Sequence, residues 1–295
     1  MGLIYALLAY LSWGLVVPVH FRLLDGVSPP AILAHRVIWS ALFVTALIVI
    51  LRKRLVNPFP LRWRHALLIA SALAIAVNWL LYLVAVSSGH MLDASLGYFI
   101  NPLVNVALGA LVLGERLRPV QMLAVGIALL GVAIAVAMAG RLPLLSLGLA
   151  MSFALYGLLR KLVAVDAMIG FYAETLLLLP IALSYALLAS DAVPADGWHL
   201  GLLLLTGVTT ALPLIWFAAA AQRLSLATLG LMQYLAPTGI MLLGILLYGE
   251  IPTPDRVVLF ALIWIALVLY AGDSLLTARR TRAAMRGSTA ETRGA

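Results

Sequence analysis

Residues 102–119 read PLVNVALGALVLGERLRP, and residues 237–254 read PTGIMLLGILLYGEIPTP. At a fixed offset of 135, Pro102 meets Pro237, Leu108 meets Leu243, Gly109 meets Gly244 and Leu111 meets Leu246. Gly114 then meets Gly249, Glu115 meets Glu250 and Pro119 meets Pro254. A second stretch agrees at offset 133, pairing Ala85 with Ala218, Ala94 with Ala227, Ser95 with Thr228, Leu96 with Leu229 and Gly97 with Gly230. In-register pairing of Pro, Gly and Glu marks a duplicated unit. Around the repeat lie ten apolar segments, at 2–20, 31–51, 65–86, 92–113, 120–138, 144–160, 168–188, 199–220, 227–247 and 257–276. Each approaches the ~20 residues that a helix needs to cross a bilayer. Five segments per copy is an odd number, so the second copy enters the membrane from the opposite side. The expected fold is all-α and integral to the membrane, ten helices as a 5+5 inverted repeat around a central cavity. Its parts are residues 1–139, residues 144–276, and a basic, disordered cytoplasmic tail at 277–295. The midpoint turn falls at 140–143.

Composition agrees: 64% of the chain is apolar and 10% is charged, against about 45–50% and about 25% in soluble domains. Water-soluble enzyme folds are excluded. No cysteine is present, which removes thiolate chemistry and cysteine-held metals. The first segment lacks a basic leader and a small-residue cleavage site, so it is read as a retained helix.

The net charge of +8 is a matter of topology. With the N-terminus inside, the cytoplasmic loops take Arg52, Lys53, Arg54, Arg62, Arg64, Arg116, Arg118, Arg160, Lys161 and Arg223. The tail adds Arg279, Arg280, Arg282, Arg286 and Arg293, and the outer loops keep Arg22, Arg141 and Arg256. That bias predicts both termini in the cytoplasm of a bacterial-type inner membrane. The tail anchors to anionic headgroups and implies no nucleic acid.

Polar groups at membrane depth need a partner or a cavity. The candidates for substrate binding are Arg36, Trp39, Asn78, Trp79, Tyr82, Tyr98, Asn101, Glu174 and Gln233. Positions 94, 97/98, 101, 105 and 109 share one helical face, too polar for lipid. That face either lines a cavity or packs helices closely. Pro102 frees the carbonyl of Tyr98 and Pro237 that of Gln233, so both are expected as helix breaks near a central site. Arg36 suits a substrate carboxylate, and Glu174 an ammonium or a proton; the alternative for each is a structural bond. Glu174 and His35 are the candidates for proton coupling.

HRVIWS (35–40), NWLL (78–81), ASLGYFINPL (94–103) and LGER (113–116) together resemble the RarD subgroup of the EamA-type drug/metabolite transporters. YGE (248–250) is similar to that group's second-repeat signature. The resemblance runs from the first helix to the tenth. It implies ten helices, inverted repeats and a cavity opened alternately to either side. It also implies a permease or exporter of amino acids, drugs or other metabolites. The expectation is therefore a secondary transporter of amino-acid-like or aromatic amphiphilic compounds, the alternative a channel or lipid scramblase of the same fold. No H-E-x-x-H, G-x-S-x-G or P-loop occurs, so no enzyme, catalytic residue, metal or cofactor is expected. The partners expected are a small molecule, the bilayer and protons, and a monomer suffices.

Overall fold

The computed structural model describes residues 1–53, 62–88, 91–139, 144–194, 196–249, 251 and 253–294. The side chains of 62, 86–87, 91–95, 139, 255, 275 and 278–294 are outside that description. The turn at 140–143 and Glu250 lie outside the described residues, as do the tail side chains. Among the described residues ten helices are long and apolar enough to cross a membrane. They are α1 Gly2–Leu23, α2 Pro29–Ile50, α3 Arg62–Ser87, α4 Met91–Leu113, α5 Pro119–Ala139, α6 Leu144–Val163, α7 Ala167–Leu188, α8 Gly197–Ala221, α9 Leu226–Tyr248 and α10 Pro254–Gly294. No strand occurs among the described residues.

Short polar side chains set the helix starts by taking the amides that have no partner in the first turn. Ser28 caps α2, Asp166 caps α7 through Met168 and Ile169, Asp196 caps α8 through His199, and Ser225 caps α9 through Thr228. The Asp166 carboxylate also meets Lys53 at 2.5 Å. Burial raises its pKa, but the Lys53 bond and the two amides outweigh that and hold it below the usual carboxylate value. The outer faces are apolar: Leu111, Leu187 and Leu246 keep 84, 81 and 80% of their surface accessible. Side chains so exposed and so apolar meet lipid in a protein of this kind.

The helices form two compact units, and each sequence half contributes to both. The larger holds Met1–Glu115 and Leu142–Ile251, the smaller Arg116–Arg141 and Pro252–Ala295. Within the larger, α4 packs on α6 and α1 on α9; α3 packs on α6 and α1 on α8; α2 packs on α8 and α3 on α7. Renumbering each helix by five turns every one of these pairs into its mate. The pairs α2 with α7 and α4 with α9 map onto themselves. So does α5 with α10 in the smaller unit. This pattern is consistent with the expected inverted repeat. In the smaller unit Ala124, Ala128 and Gly131 give α5 a small-residue stripe, with Leu259 and Leu262 against Gly131. Small residues let membrane helices approach closely. Arg118 and Asp273 join the two helices at 2.6 Å.

The repeated residues behave alike at one position and differently at another. Gly114 and Gly249 end their helices with φ of +65° and +66°, a left-handed conformation that a side chain disfavours. The prolines diverge. α9 is interrupted at Tyr234, with helical parts Leu226–Gln233 and Leu235–Tyr248 around it, whereas α4 continues through Pro102. α1 carries a π-type stretch at Ser12–Val16, where Gly14 packs against Ala236 and Gly239 of α9.

Gly114→Ala and Gly249→Ala should each lower stability by about 1–2 kcal/mol, the cost of a left-handed non-glycine residue. Gly126→Ala serves as the control, because Gly126 has ordinary helical geometry and open space beside it. Thermal unfolding in detergent reads all three, and an equal loss at Gly126 would refute the argument.

Candidate functional site

Arg36 is held by one hydrogen bond and two rings. Its Nε–H donates to Thr210 Oγ1 at 3.0 Å. The guanidinium lies 5.2 Å from the ring centre of Phe21 and 4.8 Å from that of Trp79, within the range of cation–π attraction. Tyr82 and Tyr98 are within electrostatic reach of it. Among the described residues no carboxylate pairs with it. Tyr98 keeps 41% of its surface accessible. Four helices of the first half and α8 of the second thus bring together Arg36, Trp79, Tyr82 and Tyr98. Phe21 and Thr210 are additions that sequence reasoning missed.

The other candidates go elsewhere. Asn78 donates to the Leu149 carbonyl at 2.9 Å and to Ser152 Oγ at 3.1 Å, tying α3 to α6. Trp39 Nε1–H donates to His35 Nδ1 at 2.9 Å, so the proton on His35 sits at Nε2, which donates to the Ala192 carbonyl at 2.9 Å. Both nitrogens of the neutral ring are therefore occupied. At the α4–α9 crossing Asn105 Nδ2 donates to Asn101 Oδ1 at 3.1 Å and to Gln233 Oε1 at 3.2 Å. Beside them Tyr234 donates to the Phe99 carbonyl at 3.1 Å, and Tyr10 to that of Leu229 at 2.8 Å. Asn105 Oδ1 has no hydrogen-bond partner.

Glu174 is the acid of a second buried cluster, and its cation is Arg160. Arg160 was assigned to a cytoplasmic loop on the sequence; that assignment is corrected here. It is a wholly buried side chain of α6. Its Nη1 donates to Glu174 Oε1 at 3.3 Å and its Nη2 to the Ala167 carbonyl at 3.1 Å, while its Nε has no partner. Ser71 donates to the same carboxylate oxygen at 2.5 Å and Tyr156 to the other at 3.2 Å. A Cβ on Gly170 would collide with the guanidinium, so the glycine makes room for it. A signal for this was available: Ser152, Tyr156 and Arg160 are four apart and share one helical face.

Glu115 closes one end of the larger unit. Its two oxygens accept from the amides of Leu226 and Ala227 at 2.8 and 3.1 Å, in the first turn of α9. Negative charge is favoured at a helix start. Lys161 Nζ lies 3.9 Å from the carboxylate and donates to the carbonyls of Leu224 and Ala221. Gly109 leaves room for the returning carboxylate. The last turns of α4 and α6 are thus fastened to the α8–α9 connection.

Ten helices long and apolar enough to cross a membrane, with an arginine held among aromatic rings, are features of a membrane protein. The EamA-like transporter family matches residues 1–137. A protein named RarD from Escherichia coli is 45% identical, over 95% of this chain and 97% of that one. An uncharacterized transporter from Vibrio cholerae is 44% identical, over 96% of each. A chloramphenicol-sensitive RarD protein from Pseudomonas aeruginosa is 32% identical, over 89% of this chain and 91% of that one. A crystal structure aligns with a TM-score of 0.75 at 19% identity, over 91% of this chain and 96% of that one, which shows the shared fold. The chain belongs to the RarD group of EamA-like transporters, in the drug/metabolite transporter superfamily. It is a multi-pass membrane transporter, and its kinship points to a non-enzymatic role.

Two expectations follow. Arg160→Met should destabilise by about 3–5 kcal/mol, because it leaves the Glu174 charge buried alone, while the Arg160→Met/Glu174→Leu double variant should recover most of that loss. Thermal unfolding of the four-member cycle tests it; additive losses would mean that the two charges do not depend on each other. Glu115→Ala should loosen its end of the bundle. The chain has no cysteine, so a single Asn105→Cys reports directly, and maleimide labelling of that buried position should speed up at least several-fold when the cap is removed.

Proposed function

We propose that the chain is a secondary transporter that moves a small organic metabolite by alternating access, with two inverted five-helix repeats rocking about the Arg36 cleft. The observation that carries this reading is the contrast between the two ends. Glu115 and Lys161 fasten one end, whereas Tyr98, towards the other end of α4, keeps 41% of its surface accessible. Lys161 and Arg223 sit at the fastened end, on the α6 terminus and the α8–α9 connection, which the positive-inside bias places in the cytoplasm. The state described is then closed inward and open outward, in the inner membrane, with both termini cytoplasmic. The basic tail lies on the inner leaflet, and a monomer is the working unit. Opening the inner end requires Glu115 to leave α9.

The test is flux in liposomes loaded with a defined mixture of amino acids, aromatic acids and small drugs, read by mass spectrometry with and without a pH gradient. Saturable loss of a few compounds, reduced at least tenfold in Arg36→Ala, is the expected result. Non-saturating flux with unitary conductance would make the protein a channel, and lipid movement without solute loss a scramblase. A pH gradient that drives flux in the wild type but not in Glu174→Gln would assign the proton to Glu174. Dependence lost in His35→Gln instead would assign it to His35.

A further inference from the structure

We infer that the Arg36 cleft selects organic anions with an aromatic or apolar body and discriminates against zwitterions and amines, a specificity that rests on the transporter reading above. The case is an inventory of what the cleft offers. Arg36 uses only Nε in a hydrogen bond, to Thr210. Its two terminal nitrogens have no protein acceptor among the described residues, yet they are the fork that matches a carboxylate. The phenols of Tyr82 and Tyr98 stand near the same charge and can donate a further bond. The part-exposed rings of Phe21, Tyr82 and Tyr98 supply apolar surface beside it.

An ammonium group finds no comparable place among the described side chains. Among the described side chains, Glu174 is the carboxylate inside the spans of the larger unit, and both its oxygens are taken, by Arg160 and Ser71 on one and by Tyr156 on the other. Glu115 has both oxygens on the amides of α9. Aromatic faces can hold a cation, but those of Trp79 and Phe21 already carry the Arg36 guanidinium. A second positive charge there would be repelled by the first.

The experiment is equilibrium binding to the purified full chain in nanodiscs, read by tryptophan fluorescence and by thermal shift. Four probes share one ring: phenylacetate, phenylacetamide, phenylalanine and phenethylamine. Phenylacetate should bind roughly 10- to 100-fold more tightly than the amide, the range that a charge-assisted hydrogen-bond pair supplies. Phenylalanine should bind more weakly than phenylacetate, and phenethylamine weakest of all. Arg36→Gln should bring acid and amide level, and Arg36→Lys should restore part of the preference. The wild-type series decides the question even if a variant misfolds. Equal or tighter binding of phenylalanine or phenethylamine overturns the proposal, and so does failure of all four to bind. The same probes in liposomes separate the two readings. Phenylacetate that binds with Arg36 dependence but never crosses leaves the anion site standing and removes the transporter. Saturable flux of other compounds, unaffected by Arg36→Gln, does the reverse.

Discussion

Arg160 and Glu174 meet with 0 and 1% of their side-chain surface exposed, and much of the larger unit is arranged around keeping them together. Desolvating an ion costs several kcal/mol, and a buried pair balances that cost only when further hydrogen bonds complete it. Here Ser71 of α3, Tyr156 of α6 and the Ala167 carbonyl at the start of α7 complete it. Three helices are thereby brought to one point. Gly170 is the packing consequence, since any side chain there would occupy the space of the guanidinium. The stacked rings of Tyr156 and Phe217 extend the same point into α8.

The repeat has a different physical basis at each of its matched residues. Gly114 and Gly249 share a backbone conformation, so the duplication there preserves a way to end a helix. Pro102 and Pro237 share a residue but not an outcome. The chain at Tyr234 abandons the helix ahead of Pro237, while α4 accommodates Pro102 with Gly230 packed against its carbonyl. Local chemistry sets what a proline removes; the neighbouring helix decides whether the bend is taken up. The two copies of the repeated segment therefore differ in backbone although they match in sequence.

The architecture was legible because membrane spans are written in composition, and the duplication was legible because Gly, Pro and Glu recur in register. Four of the six residues grouped at Arg36 were legible too: Arg36 itself, Trp79, Tyr82 and Tyr98 are costly or bulky groups at membrane depth and lie near one another. Phe21 and Thr210 were not, because a phenylalanine in an apolar helix and a threonine among leucines look the same whether or not they touch an arginine. Arg160 was misread because charge near a helix end defaults to solvent. The four-residue spacing from Ser152 and Tyr156 carried the correction, but its partner Glu174 comes from another helix, and a single sequence does not show which helices touch. The same blindness hid the partners of Asn78 and His35, whose bonds go to backbone carbonyls of α6 and of the α7–α8 loop.

Arg160 lies wholly buried among the helices and Arg36 only partly so, and the difference between these two arginines is the strongest reason to separate framework from site. Arg160 has a carboxylate, a carbonyl and no exposure, so its charge is compensated in the state described. Arg36 has a hydroxyl and two ring faces, which offset only part of the cost of holding a cation away from bulk water. A protein whose fold needed only to tolerate Arg36 would be more stable with an acid beside it or with a neutral side chain in its place. Leaving the guanidinium half compensated and partly accessible makes the unliganded state costlier, and an anion-bound state correspondingly more favoured. That difference is the quantity a carrier can use, because only a ligand that completes an unfinished interaction can shift the balance between two states of the same bundle.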